Sequence, residues 1–170
     1  MEVTQEFVVG MVAQKDFDAG FKGRLRARAK QVCPYLLKIV TGEIDADAYM
    51  RKNAIAMLGV AGDEDCVEVL MGLIEDERPE FRANAIRSLG AIGAPGAVAG
   101  LAKKLAQKGR SFTEGKLIVN ALGLLRDKKA VSAIEGFRER VAKEKRGTTH
   151  LARKLEEIDD VMSGLKSKKA

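Results

Sequence analysis

The sequence predicts an all-α fold, an α-solenoid of about five antiparallel helical hairpins. Apolar residues recur at three- and four-residue spacing nearly everywhere, and no segment sustains the strict alternation of a half-buried strand. The middle third also repeats itself. Asn53-Ala-Ile-Ala-Met-Leu-Gly59 returns as Asn84-Ala-Ile-Arg-Ser-Leu-Gly90, an offset of 31 residues, and Leu122-Gly123 follows Leu89-Gly90 by 33. A fixed period in this range marks stacked supersecondary units, none of which buries its apolar face without neighbours. Aromatic residues make up 5% of the 170 and Trp is absent, which favours closely packed Ala- and Leu-rich helices.

The elements follow in order. Thr4 to about Lys15 reads as a short helix with Phe7, Val8, Met11 and Val12 on one side. A second helix, Ala19 to Val32, carries the stripe Phe21, Leu25, Ala29, Val32. Pro34 opens the next, because a first-turn proline gives up only an N–H that had no intrahelical partner. That helix carries Tyr35 to Val40 and ends near Gly42. Asp45 or Asp47 caps a helix reaching Ala61, and Gly62 stops it by adopting a left-handed conformation. A partner helix spans about Glu64 to Asp76. Pro79 opens a helix that ends at Gly93, and Pro95 opens one ending near Gly109. Ser111-Phe-Thr-Glu114 has the capping-box form. Asp127 caps a helix reaching about Lys145, and Thr148 or Thr149 caps the last, which stops at Gly164. The domain reading is an N-terminal helical cap over 1–45, three repeats over 46–145, a capping helix over 146–165 and a disordered basic tail over 166–170, all one structural domain.

Gly59 and Gly90 sit inside helices, where glycine costs about 1 kcal/mol against alanine. Keeping it at one register twice predicts close approach by a neighbouring helix. The third copy keeps Gly123 but has Arg126 where the others have Gly62 and Gly93, so that turn is expected to differ.

Composition excludes several classes. Hydrophobic content of 46% and charged content of 32% rule out wholesale disorder. No apolar run approaches the ~20 residues needed to span a bilayer. The N-terminus lacks the basic and apolar regions of a secretory signal, so a cytoplasmic protein is expected. Cys33 and Cys66 have no close spacing and read as reduced, buried small hydrophobes. Charge is uneven. Residues 1–99 hold 12 Lys and Arg against 15 Asp and Glu, and residues 100–170 hold 18 against 9. A basic half suits an acidic protein or a nucleic acid, but a solvated helical surface is its more ordinary explanation.

Met50-Arg-Lys-Asn-Ala-Ile-Ala-Met-Leu-Gly59 and Phe81-Arg-Ala-Asn-Ala-Ile-Arg-Ser-Leu-Gly90 resemble the HEAT-like repeat family, in its short bacterial and archaeal form also seen in phycobilisome-lyase HEAT-like proteins. Arg51 and Arg82 match the repeated first-helix arginine of that family. The resemblance covers 46–145 and departs in the third unit, where Gly115 and Lys116 replace the hydrophobic–arginine pair. It implies a superhelical binding scaffold, with a minority of enzymes among its members.

Enzymes of this shape need residues that the chain supplies poorly. Iron-dependent hydroxylases need several His-Glu pairs, and the chain has one histidine, His150, followed by Leu151. A tetrapyrrole pocket or a base-flipping site calls for aromatics, which are scarce here. Gly109-Arg-Ser-Phe-Thr-Glu-Gly115-Lys116 has five intervening residues where a phosphate loop has four, and Leu117 where Ser or Thr would hold magnesium. Asp63-Glu-Asp65 and Glu75-Asp-Glu77 suit the positive N-termini of the helices they precede. Lys22, Arg26 and Lys30 form one cationic column and Arg24 with Arg28 another, flanking the Phe21 stripe. These fit the edges of a buried face, and also a helix lying on a membrane surface.

In an α-solenoid the second helices line the inner surface. Aligning copies stacks Gly72, Lys103 and Gly136 in one row and Glu68, Ala99 and Ser132 in the next, four of the six being small. Two explanations stand side by side: a groove floored by small residues with Lys103, Lys104, Lys108 and Arg138 near its rim, or close packing of consecutive helices. The expectation is a non-catalytic scaffold or adaptor without cofactor or metal, binding a protein partner, an acidic peptide or helix, through its concave surface. A nucleic-acid binder using the basic half and a phycobilin-lyase-type accessory remain alternatives.

Overall fold

A computed structural model describes residues 2–109, 111–143 and 148–167. Its described residues form ten α-helices and two 3-10 turns, with no strand. The helices are α1 (Gln5–Val12), α2 (Phe21–Ala27), α3 (Ala29–Thr41), α4 (Ala48–Ala61), α5 (Val67–Leu73), α6 (Pro79–Ile92), α7 (Ala97–Ala106), α8 (Phe112–Leu125), α9 (Val131–Ala142) and α10 (Thr148–Ser167). They group into two compact units, Met1–Ile92 and Gly93–Ala170, and the division falls inside the segment expected to hold three repeats.

In the first unit α4 is the hub, packed on α3 and α6 and touched by α1 and α2. Its start is fixed by Asp47, whose carboxylate accepts the Met50 N–H at 2.7 Å. The repeated Asn53 serves the cap: its Nδ2 donates to the Val12 carbonyl at 2.9 Å, satisfying the C-terminal end of α1. The repeated Arg82 likewise donates to the Asp76 and Glu77 carbonyls at 2.8 and 3.0 Å, closing the turn before α6. Gly59 is the close approach its register predicts. A Cβ there would lie 2.7 Å from Ser88 Oγ and 2.9 Å from Ser88 Cα on α6. Ser88 Oγ in turn donates to the Ile55 carbonyl at 2.8 Å. Leu58, Leu70 and Leu89 are fully buried in this unit.

In the second unit α7 packs on α8 and α9, and α10 packs on α8 and α9. Leu101, Leu122 and Ile134 are fully buried here. Ser111 Oγ accepts the Glu114 N–H at 3.2 Å, as a capping box requires. Gly123 faces α10, and a Cβ there would lie 2.7 Å from Val161 Cγ1. The 33-residue offset sets Glu114 and Gly115 opposite Phe81 and Arg82, correcting the alignment of that pair by one residue. The Phe137 ring occupies the space a Cβ at Gly115 would need.

Several boundaries differ from the sequence reading. The second predicted helix breaks at Arg28, with φ −115° and ψ 15°. Pro34 consequently lies inside α3 rather than in its first turn. There the ring removes the donor that would reach the Lys30 carbonyl. The cost is offset because Val32, Cys33, Leu36, Ile39 and Val40 are buried in one continuous helix. Gly42 and Gly93 end their helices left-handed, at φ 88° and 76°. Gly62 does not, having φ −72°. A Cβ at Gly62 would collide with the Leu58 carbonyl oxygen, so close packing explains this glycine. Arg126 keeps the left-handed turn at φ 57°, so the first copy's turn is the divergent one. Gly164 does not stop α10. The helix continues to Ser167, and Lys166 Nζ pairs with Glu135 at 2.7 Å, so these two residues of the expected tail are ordered. The Thr148 and Thr149 side chains and residues 168–170 lie outside the described residues.

Candidate functional site

The predicted partner-binding residues divide by position. Ala99 and Lys103 are exposed one turn apart on α7, Ser132 is exposed and Gly136 half-buried on α9, and Lys108 is exposed beyond α7. Since α7 packs on α9, the second unit gathers these five residues on neighbouring elements. Gly72 is exposed on α5 of the first unit. A Cβ at Gly72 would meet nothing within 4 Å, and one at Gly136 only Arg140 Nη1 at 3.8 Å. Close helix packing therefore does not require glycine at either position.

Two cations depart from the expected rim. Lys104 is 3% exposed, because position 104 shares the buried stripe of Ala97, Leu101 and Leu105. Arg138 makes a bidentate pair with Asp159 at 2.6 and 2.8 Å, fastening α10 to α9. That guanidinium holds the Asp159 carboxyl below the usual carboxylate range. Lys116 does the same to Glu157 from 2.7 Å. Arg140 donates to the Leu105 carbonyl at 2.5 Å, a cation at the negative C-terminus of α7. Lys116, Arg138 and Arg140 of the basic half are thus engaged in holding its own helices together.

The first unit contains a more developed site. A cleft of about 540 Å³ opens between α1 and the α2–α3 corner. Phe7, Met11, Phe21, Leu25 and Val32 supply its apolar lining, with Glu6, Arg24 and Arg28 among the charged residues. Local sequence explains the geometry. Thr4 Oγ1 accepts the Phe7 N–H at 3.3 Å and starts α1, while Asn53 and Tyr49 anchor its end on α4. Asp18 Oδ1 accepts the Gly20 N–H at 2.8 Å, and Arg24 closes the turn by pairing with the same carboxylate at 2.5 Å. This pairing lowers the Asp18 pKa. The break at Arg28 redirects the chain, so that Leu25 from α2 and Val32 from α3 line one cleft.

Aromatic and cationic groups meet at this cleft. The Phe17 and Phe21 rings lie 4.2 Å apart, and the Arg28 guanidinium is 5.9 Å from the Phe7 ring centre. Phe17 and Tyr49 are among the exposed large side chains. Phe21 also lines a second cleft of about 470 Å³, together with Phe17, Met57 and Val60. Lys22, Arg24, Arg26, Arg28 and Lys30 follow one another with no intervening carboxylate. The predicted Lys22–Arg26–Lys30 column is split, Lys30 belonging to α3. Among the described residues no three His, Cys, Asp or Glu side chains cluster as a metal site would need, and no helix is long and apolar enough to cross a membrane.

A family model for HEAT repeats matches residues 33–114. No curated protein matches the chain. Among solved structures, the chain is similar to the complex of CpcE and CpcF of phycocyanin lyase from Nostoc sp. PCC7120, with a TM-score of 0.64 and 20% sequence identity over 99% of this chain and 67% of that one. At this identity the likeness is one of fold. Residues 33–114 thus match HEAT repeats, and the described residues have an all-helical fold similar to that of a chain of that lyase complex.

Proposed function

We propose that this protein is a non-catalytic scaffold or adaptor, and that its partner presents an acidic amphipathic helix to the cleft between α1 and α2. One observation carries the reading: an apolar cleft with two phenylalanines has Arg24 and Arg28 on its lining, within a segment from Lys22 to Lys30 that holds five cations and no carboxylate. Apolar burial supplies affinity, and the cations steer encounter and fix orientation. The similar structure is a complex of two proteins, which supports a role exercised with a protein partner. The α7–α9 face, with Ala99, Lys103, Lys108, Ser132 and Gly136, offers a second and less enclosed surface to such a partner.

A labelled acidic amphipathic peptide, followed by fluorescence anisotropy, tests this. It should bind more tightly than its scramble, more weakly as salt rises, and about tenfold more weakly to Arg28→Glu, equivalent to ~1.4 kcal/mol. Lys103→Glu should leave binding unchanged. Equal binding of the scramble would overturn the proposal, as would loss of binding through Lys103→Glu alone. Preference for anionic vesicles, or for duplex DNA with a steep salt slope, would also overturn it.

The fold likeness favours one further reading, accessory work in a phycobilin-lyase-type reaction. Phe7 and Phe21 would then stack a tetrapyrrole, with Arg28 at its carboxylates. Tetrapyrrole titration followed by absorbance decides it: saturable binding lost in Phe21→Ser supports this reading, and an unchanged spectrum excludes it.

A further inference from the structure

Cys33 and Cys66 are far apart in sequence, yet α3 and the 3-10 turn Glu64–Cys66 bring them together. Both are buried, at 8% and 1% exposure. Cys33 Sγ donates to the Ala61 carbonyl at 2.9 Å. A Cβ on the next residue, Gly62, would lie 3.1 Å from Cys66 Sγ. The two sulfurs therefore converge on the single Ala61–Gly62 link that ends α4. Cys66 Sγ itself faces Asp63 Oδ1 at 3.9 Å.

We propose that Cys33 and Cys66 form a redox-responsive dithiol, closed by hydroperoxides into a disulfide that ties α3 to the start of α5. The two thiols differ in acidity: the neighbouring Cys33 thiol brings the Cys66 pKa down to about 7, and the Cys66 sulfur together with burial pushes Cys33 up. Cys66 is thus the attacking sulfur and Cys33 the resolving one. The Cys66 thiolate attacks one oxygen of hydrogen peroxide, the O–O bond breaks, and hydroxide leaves with a sulfenic acid left on Cys66. Cys33 sulfur then displaces the sulfenic oxygen. The S–S bond forms, the S–O bond breaks, and the Cys33 proton leaves in water. In total, two thiols lose two electrons and two protons, and one peroxide becomes two waters.

Burial selects the oxidant. A small peroxide reaches Cys66 by opening one 3-10 turn ahead of a seven-residue helix, whereas a bulky disulfide such as oxidised glutathione requires far wider opening. The product would brace the N-terminal helices against the first repeat. It would act by restricting the unfolded chain across the residues between Cys33 and Cys66.

The test uses the full folded chain and one equivalent of hydrogen peroxide. Thiols are counted after quenching in denaturant, and the protein is digested without reductant. Both thiols should disappear together, and the peptides carrying Cys33 and Cys66 should be recovered joined. Dithiothreitol should separate them, and the oxidised protein should unfold at higher denaturant concentration than the reduced form. In Cys33→Ser, Cys66 should stop at the sulfenic acid and be trapped by dimedone. Should that variant fail to fold, the wild-type comparison still decides: the link must form faster in folded protein than in urea-unfolded protein. Equal rates would overturn the proposal. So would independent loss of the two thiols, intermolecular links only, or thiols that stay unmodified while the protein is folded.

Discussion

Replacing Gly59 with alanine sets two known effects against each other. In a helix interior the change gains about 1 kcal/mol of propensity. At this position the new methyl would stand 2.7 Å from Ser88 Oγ, 2.9 Å from Ser88 Cα and 3.0 Å from Ser88 Cβ. Ser88 Cα belongs to the backbone of α6, so rotating the serine side chain does not relieve the clash. α4 and α6 must separate, at an overpacking cost of about 1–3 kcal/mol. Separation also stretches the 2.8 Å bond from Ser88 Oγ to the Ile55 carbonyl, leaving a buried donor poorly satisfied at about 1–3 kcal/mol more. The sum favours destabilisation by about 1–5 kcal/mol. Gly72→Ala is the control, because its Cβ would meet nothing within 4 Å. It should stabilise by up to ~1 kcal/mol through propensity alone. Urea unfolding followed by far-UV circular dichroism reads both. A neutral or stabilising Gly59→Ala would refute the close-approach account of the repeated glycine. Ser88→Ala should rescue it only in part, because it removes the hydroxyl but keeps the α and β carbons that the methyl would press against.

Leu89 is fully buried on α6, so Leu89→Ala should cost about 2–5 kcal/mol, and a loss under ~1 kcal/mol in the same assay would contradict its burial. Lys103→Glu on the exposed side of α7 should change stability by no more than about 0.5 kcal/mol. Lys104→Glu, 3% exposed, should cost at least about 1–3 kcal/mol by thermal or urea melts; equal effects of the two would refute the register assigned to α7. Arg138 and Lys116 lower the pKa values of Asp159 and Glu157, so their contribution to stability is complete above the unfolded carboxylate values. It should fade as pH falls through the depressed folded values, below about pH 4, and α10 amides should lose hydrogen-exchange protection in that window. Retained protection in α10 through that window would contradict its anchoring by these pairs.

Local signals were legible where one residue decides one feature. Asp47 and Ser111 cap because their oxygens reach backbone donors three residues on, and Gly42 and Gly93 stop helices because they take positive φ. The repeat register likewise located Leu58, Leu89 and Leu122 in cores. What failed to show in the sequence depends on packing between elements. Pro34 reads as a helix start by local cost, yet the buried stripe from Val32 to Val40 carries α3 through it. Gly62 reads as a left-handed stop, and its real constraint is the Leu58 carbonyl pressing on it. Lys104 adjoins exposed Lys103, and only the phase of α7 against its neighbours shows that it turns inward. Phe7 and Phe21 were readable as members of separate helical stripes. That the two stripes border a gap follows from the turn at Arg28, which propensity did not mark. Cys33 and Cys66 are likewise joined by tertiary packing alone.

The central claim is that the α1–α2 cleft receives an acidic amphipathic helix. Amide chemical-shift perturbation in the isotope-labelled full chain, titrated with the acidic amphipathic peptide, tests it most directly. The account predicts saturable shifts concentrated in Glu6–Gln14 and Phe21–Val32, reduced together by Arg28→Glu. Shifts confined to Ala99–Lys108 and Ser132–Arg138, or no saturable shifts at all, would contradict it.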